Sequence, residues 1–281
     1  MNELKIRTLA SLIALATYSA AAAQTLGSSS PSGFTTPEIG RWTYFAANGT
    51  APVGGAQIGR ELYKTDGATV TQLVKDIAIG EPSSNPRDLA VRTGGSNTVF
   101  FTADDRVNGR ELWGSGGTEG NTRMVRDIRQ GSLGSEPRQI MVEGNRVFFA
   151  ADDGMGSAVW VSDGTMGETK RISGFGLDPS DFVAVGNHVF FTAYDGTHGR
   201  ELWRSDGTMD GTKIFSDIND GSSGSYPAQL REFRGLLLFA ATDQTHGREL
   251  WVTSKDGATA TVVKDVRPGY RSSNPSDIRI A

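Results

Sequence analysis

Three ionisable residues recur together along this chain, and their types could support acid–base or ion-pair chemistry. In four segments an Arg-Glu dipeptide is followed by an Asp that lies 16 or 17 residues after the Arg. The twelve residues are Arg60, Glu61, Asp76, Arg110, Glu111, Asp127, Arg200, Glu201, Asp217, Arg248, Glu249 and Asp265. In a related segment Ser157, Ala158 and Gly174 stand instead. Since the three residues are present or absent together, we predict a structural cross-strand Arg–Asp ion pair, with the Glu orienting the Arg.

A second set of polar residues lies two positions after a proline, and an apolar residue follows each one. The five residues are Asp88, Gln139, Asp181, Gln229 and Asp277. This alternation predicts a ring of side chains that face a common channel. Calcium is a candidate ligand of Asp88, Asp181 and Asp277, and a water-filled polar channel is the alternative. A glycosidase needs two carboxylates in different environments, which equivalent positions do not provide, so no catalytic residue is assigned.

A third set lies in loops that vary in sequence within an otherwise constant frame. The candidate ligand-binding residues of these loops are Asp105, Asp153, Tyr194, Asp195, His198, Asp243 and His246. Variable loops on a constant frame are typical of a binding surface on a rigid scaffold, and these residue types are frequent in sugar-binding loops. Solvated surface loops without a ligand are the alternative.

The composition removes several classes of function. The chain has 281 residues with no Cys and three His, which excludes disulfides, thiolate metal sites and a cysteine nucleophile. A net charge of −4 argues against nucleic acid as the main partner, because no basic face is available for phosphates. No nucleophile-elbow, phosphate-loop or zinc-protease motif occurs. Apart from the candidate calcium, the sequence implies no cofactor.

The first residues have the pattern of an export signal. Basic residues precede the apolar stretch Leu9–Ala16, and small residues end at Ala23. We therefore predict a signal peptide at 1–23, a Ser/Gly-rich spacer at 24–36, and a protein that is secreted or periplasmic after cleavage near Ala23. No later stretch has the length and apolarity of a membrane span.

An internal repeat organises residues 37–281. Gly-Arg-Glu-Leu-Trp or a variant of it recurs with its aromatic residue spaced by 50, 47, 43 and 48 residues, and the five aromatic positions are Tyr63, Trp113, Trp160, Trp203 and Trp251. Each repeat predicts four short strands: A after a proline, B at an apolar run, C at the Glu-Leu-Trp run, and D after an Asp-Gly turn. A period in the forties with four strands indicates an all-β fold, a five-bladed β-propeller, with a solenoid as the alternative.

The two ends of the repeat region are complementary. Only six residues separate Pro37 from Thr43, which leaves no room for strand A in the first blade. At the other end, Pro275–Ala281 has the sequence of a strand A with no further strands behind it. We predict that this C-terminal strand completes the first blade and so removes an open sheet edge. A fragment of a longer repeat array is the alternative.

The repeat resembles the bacterial family of secreted proteins named for the ELWxxDGT motif. Glu201–Thr208 fits the motif in full, whereas Gly116 replaces its Asp in the second repeat and Ala158 replaces its Glu in the third. The first repeat has Tyr63 for the Trp, and the fifth has one extra residue before Asp256. The resemblance covers about residues 40–281 and implies an exported, propeller-like protein. It implies no reaction and no catalytic residues.

Taken together, these patterns predict an exported, non-enzymatic binding module that recognises carbohydrate or an extracellular or cell-surface protein through its loops. One alternative is a glycan-active hydrolase or lyase that uses the channel carboxylates. Another is a purely structural matrix or adhesion protein. The sequence predicts no nucleic-acid partner, and it leaves the oligomeric state open.

Overall fold

The computed structural model describes residues 42–51, 54–92, 97–254 and 258–280. The predicted signal peptide at 1–23 and spacer at 24–36 lie outside the described residues. Within the described part, none of the helices has both the length and the apolar character that a membrane crossing needs. The chain divides into two compact units, Met1–Asn145 and Arg146–Ala281.

The described residues form β-strands that repeat in the predicted order, together with one short 3-10 turn at Glu119–Asn121. The A strands are β4 (Arg87–Arg92), β8 (Arg138–Glu143), β12 (Ser180–Val185) and β16 (Ala228–Phe233). The B strands are β1 (Thr43–Thr50), β5 (Thr98–Asp104), β9 (Arg146–Asp152), β13 (His188–Asp195) and β17 (Leu236–Asp243). The C strands are β2 (Gln57–Thr65), β6 (Arg110–Ser115), β10 (Ser157–Ser162), β14 (Gly199–Ser205) and β18 (Gly247–Thr253). The D strands are β3 (Thr71–Lys75), β7 (Thr122–Arg126), β11 (Lys170–Arg171), β15 (Lys213–Ser216) and β19 (Ala260–Lys264).

Each repeat folds into one antiparallel sheet in which the strands are neighbours in chain order. Four sheets have four strands, in the order A-B-C-D, and the first sheet has only β1, β2 and β3. The prediction of an all-β fold built from one small sheet per repeat is therefore confirmed. Residues 271–280, which contain most of the predicted closing strand, are assigned to no strand.

One cross-strand aromatic pair recurs in all five sheets and explains the repeated Phe and Trp. The residues that face each other in register are Phe45 and Tyr63, Phe101 and Trp113, Phe149 and Trp160, Phe191 and Trp203, and Phe239 and Trp251. Every Phe of these pairs is buried, with at most 5% of its surface exposed. Full burial of each contributes about 1.5–3 kcal/mol. The aromatic residues thus serve the core.

Neighbouring sheets within a unit share their cores. In unit 1, Tyr44 and Leu62 of the first sheet pack in one cluster with Phe101 and Trp113 of the second. In unit 2, Leu202 of the fourth sheet packs in one cluster with residues of the fifth that include Phe239 and Trp251. Because both faces of a strand are covered in this way, the B strands are apolar on both sides.

Asp-Gly turns lie between strands C and D, and in the first, third and fourth repeats the Gly has positive φ whereas the Asp does not. Gly67, Gly164 and Gly207 have φ values of 74°, 95° and 92°, which glycine adopts without steric cost. The Asp side chain accepts main-chain N–H groups of the same turn, as Asp206 does from Thr208 at 2.8 Å. These aspartates therefore stabilise the turn.

Every A strand is entered through the same unusual backbone conformation. The residue before the proline and the residue two positions after it both have positive φ, which is uncommon for residues other than glycine. The φ values are 47° and 56° at Asn85 and Asp88, 46° and 58° at Glu136 and Gln139, 44° and 57° at Asp178 and Asp181, 49° and 57° at Tyr226 and Gln229, and 52° and 53° at Asn274 and Asp277. The C-terminal segment 274–280 thus has the entry conformation of an A strand although it pairs with no strand.

Candidate functional site

The glutamates of the C strands are completely buried and hold the loop that leaves their sheet. Glu61, Glu111, Glu201 and Glu249 have 0% of their surface exposed. Each accepts the Oγ–H and the N–H of a serine in the loop between strand D and the next strand A. The serines are Ser84, Ser135, Ser225 and Ser273. In the Glu201 pair the Oγ–Oε2 distance is 2.5 Å and the N–Oε1 distance is 2.6 Å. We call this arrangement the Glu–Ser clamp.

The same carboxylates also bind the beginning of the loop. Main-chain N–H groups of Ile77, Arg129 and Ile218 donate to Glu61, Glu111 and Glu201. Burial raises the pKa of Glu111 to about 7, even though the hydrogen bonds from Ser135 and the main chain lower it. The pKa values of Glu61 and Glu201 are raised for the same reason. With all its acceptor capacity used inside the fold, the clamp is a structural element rather than a catalytic one.

The third repeat replaces the clamp with apolar residues. Ala158 stands where the other repeats have Glu, and Leu177 stands where they have the Ser. Both are buried, with 1% and 7% of their surface exposed. The loop is still joined to the C strand by its main chain, because the N–H of Leu177 donates to the carbonyl oxygen of Ser157 at 3.1 Å.

The arginines of the C strands bind the loop that enters their own sheet. In the second, fourth and fifth sheets the arginine donates through Nη1 to the carbonyl oxygen of the residue before the proline and to a threonine hydroxyl of strand B. The contacts are Arg110 with Asn85 (3.0 Å) and Thr102 (3.1 Å), Arg200 with Asp178 (3.1 Å) and Thr192 (3.2 Å), and Arg248 with Tyr226 (2.9 Å) and Thr242 (3.4 Å). Arg200 also forms an ion pair with Asp178 at 2.7 Å.

The predicted Arg–Asp ion pair is therefore not formed among the described residues, and the reason is the strand register. A bulge after Leu112 places this residue opposite Arg126, so the following positions align Glu111 with Asp127. Arg110 is one residue further along, and adjacent residues of a strand point to opposite faces. The same alternation prevents the Glu from orienting the neighbouring Arg. The aspartates instead serve turns: Asp76 accepts the N–H of Gly80 at 3.0 Å, and Asp265 accepts that of Gly269 at 3.1 Å.

The predicted ring residues do not follow the simple alternation. Each of Asp88, Gln139, Asp181, Gln229 and Asp277 has positive φ. The pairing of A with B shifts at these positions in the second, fourth and fifth sheets. In unit 2 the Oε1 atom of Gln229 accepts the N–H of Ile278 at 3.1 Å, so this side chain joins two chain segments. No group of three or more His, Cys, Asp or Glu side chains that could hold a metal ion occurs in the described ranges.

The loops between strands B and C are rigidified by their aspartates. In unit 2 the carboxylate of Asp195 accepts the N–H groups of Thr197 and His198, and it lies 2.9 Å from Nδ1 of His198. Asp243 holds His246 in the same way, with a 2.7 Å contact to Nδ1. Hydrogen bonding to these aspartates raises the pKa of both histidines.

In the second and third repeats the same loop positions hold their own main chain. Asp105 accepts the N–H of Val107 and of Asn108, and Asp153 accepts that of Met155. The predicted binding aspartates therefore shape the loops. Of the predicted loop residues, Tyr194 is a large hydrophobic residue with 47% of its surface exposed.

Unit 1 contains an apolar cavity that the polar-residue patterns did not predict. It has a volume of about 320 Å³, and Trp113 is part of its lining. One wall is the loop after β3, with Ile77, Ile79 and Pro82, and the other is the β5–β6 loop, with Asp105, Arg106 and Val107. A sequence signal for it exists: residues 77–79 are Ile-Ala-Ile, whereas the second and fourth repeats have polar residues after the equivalent Ile.

Large apolar side chains are exposed mainly on two kinds of loop. In an antiparallel A-B-C-D sheet, the B–C loop and the loop that leaves strand D lie at the same end, which we call the loop end. Of the thirteen large hydrophobic residues that are exposed in the described part of the chain, nine lie at the loop end of their own sheet: Ile79, Val107 and Leu133 in unit 1, and Met155, Phe175, Tyr194, Tyr226, Val266 and Tyr270 in unit 2. Exposed apolar side chains that neighbour each other within one unit mark an interaction surface more often than scattered ones do.

Comparison with known proteins identifies the fold class and not a family. No protein-family model and no curated protein matches this chain. The structure is similar to a puromycin hydrolase S511A mutant complexed with PGG, with a TM-score of 0.53, 14% identity, and coverage of 89% of this chain and 39% of the hydrolase. It is also similar to a puromycin-hydrolyzing peptidase of Mycobacterium tuberculosis, with a TM-score of 0.51, 11% identity, and coverage of 88% and 39%.

A prolyl endopeptidase structure matches with a TM-score of 0.50 and 14% identity, over 83% of this chain and 34% of that one. The chain thus spans well under half the length of the proteins it matches. At these identities the likeness shows the fold alone, which is propeller-like.

Proposed function

We propose that this chain is an exported, non-enzymatic binding module of the ELWxxDGT-repeat type, which binds an extracellular or cell-surface protein through its loop end. The observation that carries the proposal is the concentration of exposed large apolar side chains on the loops of that end. Ile79 and Val107 have 86% and 70% of their surface exposed to water. Covering these side chains with a partner lowers the free energy of the complex, because apolar surface is removed from water.

A protein partner is favoured over carbohydrate by the kind of side chain that is exposed. Five of the nine loop-end residues are the aliphatic or thioether residues Ile79, Val107, Leu133, Met155 and Val266. Protein interfaces bury apolar and Met side chains at their centre. Sugar sites instead combine an aromatic face with several free polar groups, and the loop aspartates already use their oxygens on their own main chain.

We propose the finer architecture as a five-bladed propeller closed by its C-terminal strand. Two features support it. The first sheet has three strands where the other four have four. Residues 274–280 have the same entry conformation as the A strands, with φ values of 52° at Asn274 and 53° at Asp277. Removal of the segment from Pro275 onward should lower the unfolding midpoint, whereas a chain that keeps its midpoint after this truncation would contradict closure.

Carbohydrate is the second candidate ligand, and the tyrosines of unit 2 favour it. Tyr194, Tyr226 and Tyr270 have 47%, 59% and 79% of their surface exposed, and such rings can stack on sugar faces. The hydrolase alternative gains no support from the ring residues. They share one backbone conformation, so none is distinguished as an acid or a base.

The test is binding of the full chain, purified after export and fluorescently labelled, to cells and extracellular polymer of the source organism. The Phe175→Asp/Tyr194→Asp variant changes the loop end, and the Met166→Asp/Met209→Asp variant changes exposed residues outside it. We expect binding to be lost in the first variant, retained in the second, and abolished when the cells are treated with protease. Binding that resists protease but is removed by periodate oxidation of glycans would identify carbohydrate instead. Equal binding by both variants would contradict the proposal.

A further inference from the structure

We propose that the loop between β15 and β16 of unit 2 binds one Ca²⁺ ion through the side chains of Asp217, Asn219 and Asp220. These residues bring two carboxylates and one amide oxygen together within four consecutive positions of the chain. Ca²⁺ takes about six to eight oxygen ligands in a flexible arrangement, and main-chain carbonyl oxygens and water complete such a set. The proposal goes beyond the proposed function and does not depend on what the loop end binds.

The amide of Asn219 carries the proposal, because its oxygen is buried without a partner. Only 7% of the surface of Asn219 is exposed, and its Oδ1 atom has no hydrogen-bond donor among the described residues. The Nδ2 group donates to the carbonyl oxygen of Gly224 at 2.8 Å, which fixes the orientation of the amide. Burial of an acceptor without a donor costs free energy, and a cation bound to Oδ1 would remove this cost.

The two carboxylates that flank this amide in the chain are not used by the fold. The side chains of Asp217 and Asp220 are exposed and form no hydrogen bond or ion pair with the other described residues. The equivalents of Asp217 in the first and fifth repeats, Asp76 and Asp265, instead accept a main-chain N–H group of their own loop. The oxygens of both carboxylates of the fourth repeat are therefore available to a cation.

The other repeats do not have this set of oxygen atoms. The two positions of Asn219 and Asp220 are occupied by Ala78 and Ile79 in the first repeat, by Arg129 and Gln130 in the second, and by Arg267 and Pro268 in the fifth. Ala78 is buried, with 1% of its surface exposed, so the fold does not need a polar side chain at this position. An arginine there would repel a cation. The candidate site is thus specific to the fourth repeat.

The charges of the loop favour a cation of moderate affinity. No Lys or Arg occurs between Lys213 and Arg231. On β14, Arg200 is paired with Asp178 at 2.7 Å and so does not compensate the loop carboxylates. The site has two carboxylates, and larger groups of His, Cys, Asp or Glu that could hold a metal are absent from the described residues. We therefore expect a Kd of about 10⁻⁴–10⁻³ M, the range of extracellular calcium modules.

The test is a calorimetric titration of the full chain with CaCl₂ after removal of metal ions with a chelator. We expect one site per chain with a Kd in this range. Asp217→Asn should weaken binding at least about tenfold, because it removes a charged ligand and keeps the shape of the side chain. Asp265→Asn is the matched control, because this equivalent aspartate of the fifth repeat caps its own loop, and it should leave the affinity unchanged.

The Asn219→Ala variant tests the buried oxygen separately. Alanine stands at the same position in the first repeat, so the chain should still fold, while calcium affinity should fall at least about tenfold. If this variant does not fold, Asp217→Asn keeps the test decisive, because its substitution is at an exposed position.

A second readout is the NMR signal of the His198 ring, because the charge of Asp217 acts on this imidazole. Addition of CaCl₂ should shift the His198 signals in the wild type and leave them in place in Asp217→Asn. The proposal would be overturned by a wild-type chain that binds no calcium up to about 10 mM CaCl₂, well above the expected Kd. Binding that is as tight in Asp217→Asn and Asn219→Ala as in the wild type would overturn it as well.

Discussion

In the fourth repeat a buried carboxylate joins the C strand to the following loop, whereas in the third repeat two apolar residues occupy the same positions. Glu201 accepts four hydrogen bonds, from Ser225 and from the main chain of Ile218, Asn219 and Ser225. Ala158 and Leu177 accept none through their side chains and are equally buried. In both repeats the loop leads into the next A strand with the same backbone conformation. The residue after Leu177 and the residue after Ser225 both have positive φ.

This difference shows what the recurring glutamates are for. A buried charge is costly unless it is fully hydrogen-bonded, and a matched apolar pair can replace it at little cost. The third repeat has lost both partners of the clamp together and kept the fold. The clamp is therefore one of two interchangeable structural solutions, and the acidic residues of the C strands are not evidence for catalysis.

The largest expected effect comes from breaking one clamp on one side only. Glu111→Ala leaves Ser135 and the main-chain N–H groups of Arg129 and Ser135 without an acceptor in the interior. We expect the free energy of unfolding to fall by about 3 kcal/mol or more, measured by urea denaturation. Glu119→Ala, at an exposed position of the same unit, should change it by less than about 0.5 kcal/mol. Equal effects of the two substitutions would show that the clamp does not stabilise the fold.

The reverse experiment breaks the apolar arrangement. Leu177→Ser introduces the serine of the other repeats opposite Ala158, which has no acceptor for it. We expect a loss of about 2–3 kcal/mol, because apolar burial is removed and a hydroxyl is left unpaired. Adding Ala158→Glu to this variant should recover part of the loss in the same urea titration. A double variant that is less stable than Leu177→Ser would indicate that the third repeat cannot accept the clamp.

The repeats that contain the Glu–Ser clamp should make the free energy of unfolding depend on pH. The third repeat has no clamp glutamate and does not contribute to this dependence. Burial raises the pKa of Glu111 from 4.5 to about 7, so the folded state binds its proton more tightly than the unfolded state. Its contribution to stability is complete below about pH 4.5 and is lost as the pH rises through about 7. We expect the free energy of unfolding to be higher at pH 5 than at pH 8, by an amount on the order of 1–3 kcal/mol. Glu111→Gln should reduce this difference, and an unchanged difference would contradict the assignment.

The smallest effect concerns the histidines of unit 2, which the third repeat lacks. Hydrogen bonding to Asp195 raises the pKa of His198, so its stabilising contact is fully present below the ordinary pKa of 6.5 and weakens as the pH rises through the raised value. An NMR titration should show His198 and His246 titrating above 6.5. Asp195→Asn should bring His198 back toward its ordinary pKa and leave His246 unchanged. A His198 that titrates identically in wild type and Asp195→Asn would contradict the contact.

The all-β fold with one small antiparallel sheet per repeat could be predicted from the sequence because its signals repeat. The Phe and Trp of strands B and C, the Asp-Gly turns and the prolines before strand A recur in register, so errors at one copy are corrected by the others. The ion-pair prediction failed because a bulge after Leu112 shifts the register by one residue, and spacing alone does not reveal a bulge. The predicted alternation of the ring residues with their apolar neighbours failed for a similar reason. The backbone has positive φ at positions such as Asp181, and an Asp or Gln in the sequence does not indicate this conformation.

The cavity of unit 1 was missed for a different reason. Its lining is mostly apolar, so patterns of polar residues do not indicate it. The residues Ile77, Ala78 and Ile79 depart from the polar loops of the second and fourth repeats, which is visible in the sequence. What the sequence could not give is that Val107 and Arg106 of the next repeat lie against this loop, because the contact joins residues about thirty positions apart.

The claim that an apolar pair can replace the Glu–Ser clamp is tested most directly by a double-mutant cycle. The cycle places the Ala and Leu of the third repeat at the clamp positions of the fourth. Glu201→Ala and Ser225→Leu are measured singly and together by urea unfolding, with the wild type as reference. If the clamp is a structural device that an apolar pair can replace, each single substitution destabilises, and the double variant is more stable than either single one, with a coupling free energy above about 1 kcal/mol. Additive losses in the double variant would contradict the claim and would require another role for the buried glutamates.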